Sequence, residues 1–456
     1  MKKNDTFRVK IDSITNLGFG VTRCDGVVTF ISGAVPSDIV EVKIIKVMPS
    51  YAVGRVEKYI EYSSDRATRC ENSQCQSCAY KNISYEEELR IKREDVIADF
   101  KKEGLSDIEI CHVTPSPKES EYRNKAQYPI AMNKDGEYAV GFFAPKSHRV
   151  TEARYCPLSP SVFGEIIDEL CEYFKENSLS VYNEENGAGL LRHVYLRRGE
   201  VSGEILLTLV INGDSVPNSD NLITRITEKF PDTVGILLSI NRENTNVVLG
   251  DEFITLYGRD HIFDTLSGVN LKITAPSFYQ VNHDACELLY AKAKELAAPQ
   301  KNDILLDLYC GAGSIGLSMA EDVGELIGIE IVESAVICAR ENSMRCGIDN
   351  AKFFVGDAKE TEKLLANAET QLGRKIEPNI VILDPPRAGC SEELIKYVSS
   401  LSPERIVYIS CNPRTLARDV KLFREFGYKT DKVELFDLFA KTGHVESVVC
   451  LTRRTN

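Results

Sequence analysis

The chain has 456 residues, 43% of them hydrophobic and 27% charged, an ordinary globular composition with room for about three domains of ~150 residues each. No apolar run approaches the roughly 20 residues that cross a bilayer, and 14 cysteines spread this unevenly exclude a disulfide scaffold. A formal net charge of −13 excludes nucleic-acid binding by bulk charge alone, so any RNA contact must use a local patch.

Residues 1–60 offer such a patch, with nine Lys/Arg against six Asp/Glu. The N-terminus has no apolar h-region, so a cytoplasmic protein without membrane contact is expected. Short period-two runs at 7–11, 20–23, 27–30, 39–44 and 52–56, separated by Gly, Pro, Ser and Asp, predict an OB-type RNA-binding β-barrel of five strands. A cysteine-bearing link at 61–82 precedes a charged helix from Tyr85 to Gly104. Residues 115 to about 270 mix strands such as 204–211 with a helix near 162–177, an α+β block. From Phe278 onward helices alternate with buried strands at 304–308, 325–329, 351–355, 379–383, 405–409, 433–436 and 447–451. Seven strands with crossover helices predict an α/β, doubly wound, Rossmann-like sheet. The expected domains are 1–60, then 61–82 together with 115–272, then 83–114 together with 273–456.

After the strand ending at Leu308 comes Tyr309-Cys310-Gly311-Ala312-Gly313-Ser314-Ile315-Gly316, and then a helix. Gly311 and Gly313 permit a tight turn against a ligand, and Glu330, about 20 residues on, can accept hydrogen bonds from ribose hydroxyls. This suits a dinucleotide or S-adenosylmethionine. The rigid Asp384-Pro385-Pro386 after the next central strand favours methyl transfer, where a substrate atom must align with a sulfonium methyl.

Cys411 leaves the strand at 405–409, and Asn412-Pro413 then supplies a helix cap and first turn. The positive end of the helix dipole is expected to lower the thiol pKa, which makes Cys411 the candidate nucleophile. Cys390, six residues past Asp384, is its rival. Cys24, Cys111, Cys171, Cys286, Cys338, Cys346 and Cys450 read as packing residues. Glu446, before the last strand, is the candidate general base.

Cys70, Cys75 and Cys78 have the spacing C-x4-C-x2-C, and Cys156 lies far downstream before Pro157. Four thiolates so spaced point to an iron–sulfur cluster more than to zinc, which arrives as two close pairs. The spacing also suits a two-iron centre, so nuclearity stays open at this point.

Taken together, the barrel, the four cysteines, Phe278-Tyr279-Gln280-Val281-Asn282, Asp307-Leu308-Tyr309-Cys310-Gly311, Gly328-Ile329-Glu330, Asp384-Pro385-Pro386-Arg387 and Ser410-Cys411-Asn412-Pro413 resemble the RNA uracil-5-methyltransferase family. The likeness runs closer to its 23S ribosomal-RNA branch than to its transfer-RNA branch. It implies an N-terminal TRAM-like barrel, a C-terminal methyltransferase domain, and S-adenosyl-L-methionine held by the residues matching Gln280, Tyr309, Glu330 and Asp384. Gly311, Gly313 and Asp357 complete the expected cofactor set. The resemblance also implies Cys411 as nucleophile, Glu446 as base, and a [4Fe-4S] cluster on Cys70, Cys75, Cys78 and Cys156. The expected partner is 23S ribosomal RNA, bound by a monomer. The same chemistry on transfer RNA, a cytosine-5 methyltransferase and a non-catalytic RNA-binding platform are the competitors.

Overall fold

A computed structural model describes residues 1–67, 70, 72, 75, 77–144 and 147–453, apart from the side chains at 359, 361 and 372. The catalytic half is built on one sheet whose central strands, Ile304–Leu308 and Ile380–Leu383, are almost wholly apolar. Such runs must be covered on both faces, which is the condition for a parallel sheet between helices. The spatial order is Ala351–Val355, Glu325–Glu330, Ile304–Leu308, Ile380–Leu383, Arg405–Ser410, Glu446–Arg453, Lys432–Phe436. The first five run parallel. Glu446–Arg453 then enters antiparallel to both of its neighbours.

All seven expected strands are present, and two more join them to make nine. Tyr428–Lys429 is a two-residue edge strand. Glu109–Thr114 arrives from far upstream and pairs in parallel with Lys432–Phe436. The chain order reverses between Ile304–Leu308 and Ile380–Leu383, and a crevice at the carboxyl ends of strands at such a switch point is where ligands bind. Tyr309 and Asp384 follow directly on those two ends.

The middle block is a seven-stranded sheet, Val150–Glu152, Tyr138–Phe143, Lys125–Met132, Leu191–Arg198, Ile205–Ile211, Thr233–Ile240, Glu252–Gly258. Helices Ser161–Glu176 and Ser219–Lys229 bury Phe163, Ile166, Leu170, Phe174, Leu222 and Ile226 against it. A hairpin, His261–Leu266 with Val269–Thr274, packs instead into the core beneath Ile304–Leu308.

The N-terminal sheet has six strands, one more than expected, because the pair Ser13–Ile14 adds to Phe19–Cys24. It curls around Ile31, Val40, Val42, Ile44 and Ala52. Two glycines seat it on the rest of the molecule. A Cβ on Gly18 (φ +82°) would stand 2.4 Å from the Ala79 carbonyl oxygen, and one on Gly443 would stand 2.4 Å from that of Asn16. No helix among the described residues is long and apolar enough to cross a membrane.

Candidate active site

The strand Arg405–Ser410 is apolar and buried from Ile406 to Ile409, so the chain emerges into the crevice only at its end. There Cys411 stands just ahead of helix Pro413–Glu425, whose cap Asn412 accepts from the Arg414 backbone N–H at 3.3 Å. The same Asn412 donates through Nδ2 to the Arg387 carbonyl at 2.8 Å. Arg418, one turn on, donates to the carbonyls of Ala388 and Cys390 at 3.1 and 3.0 Å. Buried Asp419 accepts from the Cys390 N–H at 2.9 Å and the Tyr408 hydroxyl at 2.6 Å. The loop that begins at Asp384 is therefore sewn to the helix that begins after Cys411.

Glu446 opens the strand next to that of Cys411 and is 5% exposed. Burial, repulsion from Asp384 and an opposing pull from Arg387 leave its carboxyl pushed up to about 8. Burial alone carries Asp384 to about 7. Cys411 is half-buried, and its thiol is raised by burial, then by Glu446 and Asp384, with Arg387 opposing. The expected lowering by the helix dipole is thus not met: lost hydration raises the thiol first, and two carboxyl groups add to it. A group poised near neutrality suits proton transfer, since it can both take and release a proton at working pH.

Packing separates the two candidate thiols. Cys390 is buried among Leu394, Tyr408 and Leu416, and burial pushes it up to about 12. Cys411, in contrast, lines a cleft of about 480 Å³ together with Arg387, His444, Lys102 and, from the barrel, Thr15 and Asn16. The motif Asp384-Pro385-Pro386-Arg387 carried Arg387 without a role. The barrel residues and Lys102 had no local signal at all, because only the packing of barrel, helix Tyr85–Lys102 and sheet brings them to the thiol.

At the switch point the glycine turn is present as expected. Tyr309 (φ +67°), Gly311 (φ +55°) and Gly313 (φ +83°) all occupy the left-handed region. Glu330 accepts from the Gly311 N–H at 3.1 Å and the Val332 N–H at 2.9 Å, which aims its carboxylate along the turn. Beneath the turn, buried Asp307 accepts from the Gly316 N–H at 3.0 Å and is nonetheless raised to about 8 by burial. Asp357 follows the next strand out, Ala351–Val355. Gln280 lies where middle block and catalytic sheet meet, its carbonyl accepting from Asn124 Nδ2 at 2.8 Å.

The four other predicted cysteines also come together. Cys70, Cys75, Cys78 and Cys156 line one cavity of about 200 Å³ with Arg123 and Lys441. Burial pushes Cys78 up to about 12; Arg123 opposes, and Cys156, Cys75 and Cys70 add to the rise. Among the described residues no three His, Cys, Asp or Glu side chains are gathered to hold a single metal ion. Thiolates on one zinc sit within about 4 Å of each other at Zn–S bonds near 2.3 Å. What the four share is their chemistry: cysteine thiols on one cavity are the donor type an iron–sulfur cluster would take.

Comparison with known proteins identifies the family. The family model described as tRNA (Uracil-5-)-methyltransferase matches residues 84–454, and that of the TRAM domain matches residues 2–56. An uncharacterized RNA methyltransferase of Clostridium tetani is 36% identical over 454 residues, covering 99% of this chain and 97% of its own. Another, from Halalkalibacterium halodurans, is 36% identical over 456 residues, with 99% and 98% covered. Among solved structures, the Pyrococcus abyssi tRNA (uracil-54, C5)-methyltransferase in complex with S-adenosyl-L-homocysteine superposes with a TM-score of 0.78 at 28% identity, covering 98% of this chain and 100% of its own. The chain is an enzyme of the RNA (uracil-5-)-methyltransferase family, with an N-terminal TRAM domain.

Proposed function

We propose that the protein methylates carbon 5 of uridine in 23S ribosomal RNA, with S-adenosyl-L-methionine as donor and a covalent adduct on Cys411. The observation that carries this reading is the half-buried thiol at a helix start under the joint influence of Glu446 and Asp384. Carbon 5 of uracil is a weak nucleophile. Addition of the Cys411 thiolate to carbon 6 forms the S–C6 bond and moves the C5–C6 π pair into an enolate. Carbon 5 then takes the donor's methyl group, whose bond to sulfur breaks to leave S-adenosyl-L-homocysteine. Glu446, ionised, removes the carbon-5 proton; the C5–C6 double bond re-forms and the thiolate is expelled.

Gln280, Tyr309, Gly311, Gly313, Glu330, Asp357 and Asp384 are the proposed donor contacts. The target base must leave any stack to reach the thiol, and the cleft between barrel and sheet has room for it. Cys70, Cys75, Cys78 and Cys156 are the proposed ligands of a [4Fe-4S] cluster. Bound there, it would supply a covalent tie between two segments otherwise far apart in the chain.

The likeness of the sequence motifs to the ribosomal-RNA branch is what supports the ribosomal substrate. A second reading, transfer RNA, is favoured by the similarity to the Pyrococcus abyssi enzyme. Mapping 5-methyluridine by mass spectrometry in RNA from cells lacking the gene separates them. Loss confined to 23S RNA supports the proposal, and loss confined to transfer RNA transfers the assignment. Cys411→Ala is expected to abolish methyl transfer while donor binding persists; retained transfer would overturn the nucleophile.

A further inference from the structure

The wall of the four-cysteine cavity is continuous with the loop that ends in Glu446. Lys441 lines that cavity together with Glu119, and the two are joined Nζ to Oε2 at 2.7 Å. Lys441 is 4% exposed and adopts φ +72°, a left-handed conformation that a non-glycine residue holds only when its surroundings over-determine it. Those surroundings are visible. Its N–H donates to Glu88 Oε1 at 2.7 Å, and its carbonyl accepts from the Tyr80 N–H at 3.0 Å, two residues past Cys78. The Ala440 carbonyl accepts from the Tyr122 hydroxyl at 2.9 Å, beside Cys78 and Cys156 in one small apolar cluster.

From Lys441 the constraint runs on toward the base. Phe439 and Thr442 close a turn through the Thr442 hydroxyl at 2.7 Å, and the Thr442 hydroxyl accepts from the His444 N–H at 3.3 Å. A Cβ on Gly443 would fall 2.4 Å from the Asn16 carbonyl oxygen, so this segment lies close against the barrel. Behind it, buried Lys92 pairs with Glu88 and Asp437, each at 2.8 Å, and donates to the Phe439 carbonyl at 3.3 Å. The segment 437–444 is thus tied to helix Tyr85–Lys102 and to the cysteine cavity, and also to Asn282, which donates to the Leu438 carbonyl at 3.1 Å, and to the Thr114 carbonyl, which accepts from the Asp437 N–H at 3.0 Å.

We infer that Lys441, through its ion pair with Glu119, is a positioning residue that ties the four-cysteine cavity to the loop carrying Glu446. It sets that carboxylate for proton removal without touching substrate. A carboxylate displaced by about 1 Å from a reacting carbon can lose roughly 100-fold in rate, so a tie five residues away is enough to matter. The inference rests on Glu446 acting as the base.

The test uses the full-length enzyme with the RNA it methylates. Glu446→Gln serves as the reference, because loss of the base after methyl transfer should leave RNA covalently attached to Cys411 on a denaturing gel. Lys441→Met and Glu119→Gln are expected to reduce methyl transfer by about 10-fold or more and to accumulate the same adduct, with donor binding unchanged. A purely structural role would lower the melting temperature and give no adduct. If Lys441→Met does not fold, Glu119→Gln, at a partly exposed site, carries the test alone. Absence of adduct in the folded variants while Glu446→Gln shows it overturns the tie. Absence in Glu446→Gln as well overturns the base assignment and the inference with it.

Discussion

Two regions of this molecule gather sulfur with carboxylates, and they are built differently. Around Cys411, regular structure does the gathering: three neighbouring strands and a capped helix deliver Asp384, the thiol and Glu446 to adjoining tips of one sheet. Around Cys70, Cys75, Cys78 and Cys156, a loop is held by Glu119, Lys441 and the Tyr122 hydroxyl. Sheet and helix geometry fixes the first region to within the pleat of the strands, whereas the second depends on side-chain ties. The proposed proton chemistry sits at the first, and the proposed cluster at the second.

That contrast can be tested most severely at the two nucleophile candidates. Cys411→Ser should lower methyl transfer by at least 100-fold, since a hydroxyl beside two carboxyl groups of raised pKa is a far weaker nucleophile than a thiolate. Cys390→Ser, in a single-turnover assay with tritiated methyl donor, should change the rate less than a few-fold. Equal losses would erase the distinction.

Next in size is the pH dependence. The base works only when ionised, and Glu446 is pushed up to about 8, so its competent fraction rises about tenfold per pH unit below that value. The Cys411 thiol is raised as well, which adds to the slope. Single-turnover rates should climb from pH 6 to 8; a flat profile would show that neither group limits the reaction.

The same shift predicts an effect on stability of opposite sense. Folded Glu446 holds its proton up to about pH 8, while the unfolded chain releases it near 4.5, so this group's contribution to stability is present in acid and lost as pH rises through that window. Glu446→Gln should therefore raise the melting temperature at pH 9 relative to wild type and leave it almost unchanged at pH 4. A rise at pH 4 as large as that at pH 9 would break the argument.

The loop region should answer differently. If the proposed cluster is bound there, Cys156→Ala is expected to lower the melting temperature and the iron content of the purified enzyme together, with loss of methyl transfer following from displacement of the loop at 437–446; iron content equal to that of the wild type would count against the cluster. Smallest of all, Asn412→Ala should cost about 1 kcal/mol, the usual value of a helix cap, measured by denaturant unfolding.

Much of this was legible from local pattern. Ile304–Leu308 and Ile380–Leu383 are too apolar to be anything but central strands, and Asn412-Pro413 can only begin a helix. The chain's early return as Glu109–Thr114 beside Lys432–Phe436 was legible only in part, because pairing across more than 300 residues leaves no trace in periodicity. The dipole argument for Cys411 failed for a related reason: the helix turn is local, whereas the burial that chiefly raises the thiol, and the carboxyl groups that add to it, come from packing with other strands.

By itself, then, the order of residues determined which elements form, where the glycine turn falls, and which thiol, carboxylates and cysteines are available for chemistry, since those depend on neighbours a few positions away. Only the tertiary structure decided that Cys390 is walled in while Cys411 opens on a cleft, that the barrel's Asn16 abuts Gly443, and that Lys441 stands between cavity and base. Burial and field are sums over everything that packs around a group, and no stretch of chain contains its own surroundings.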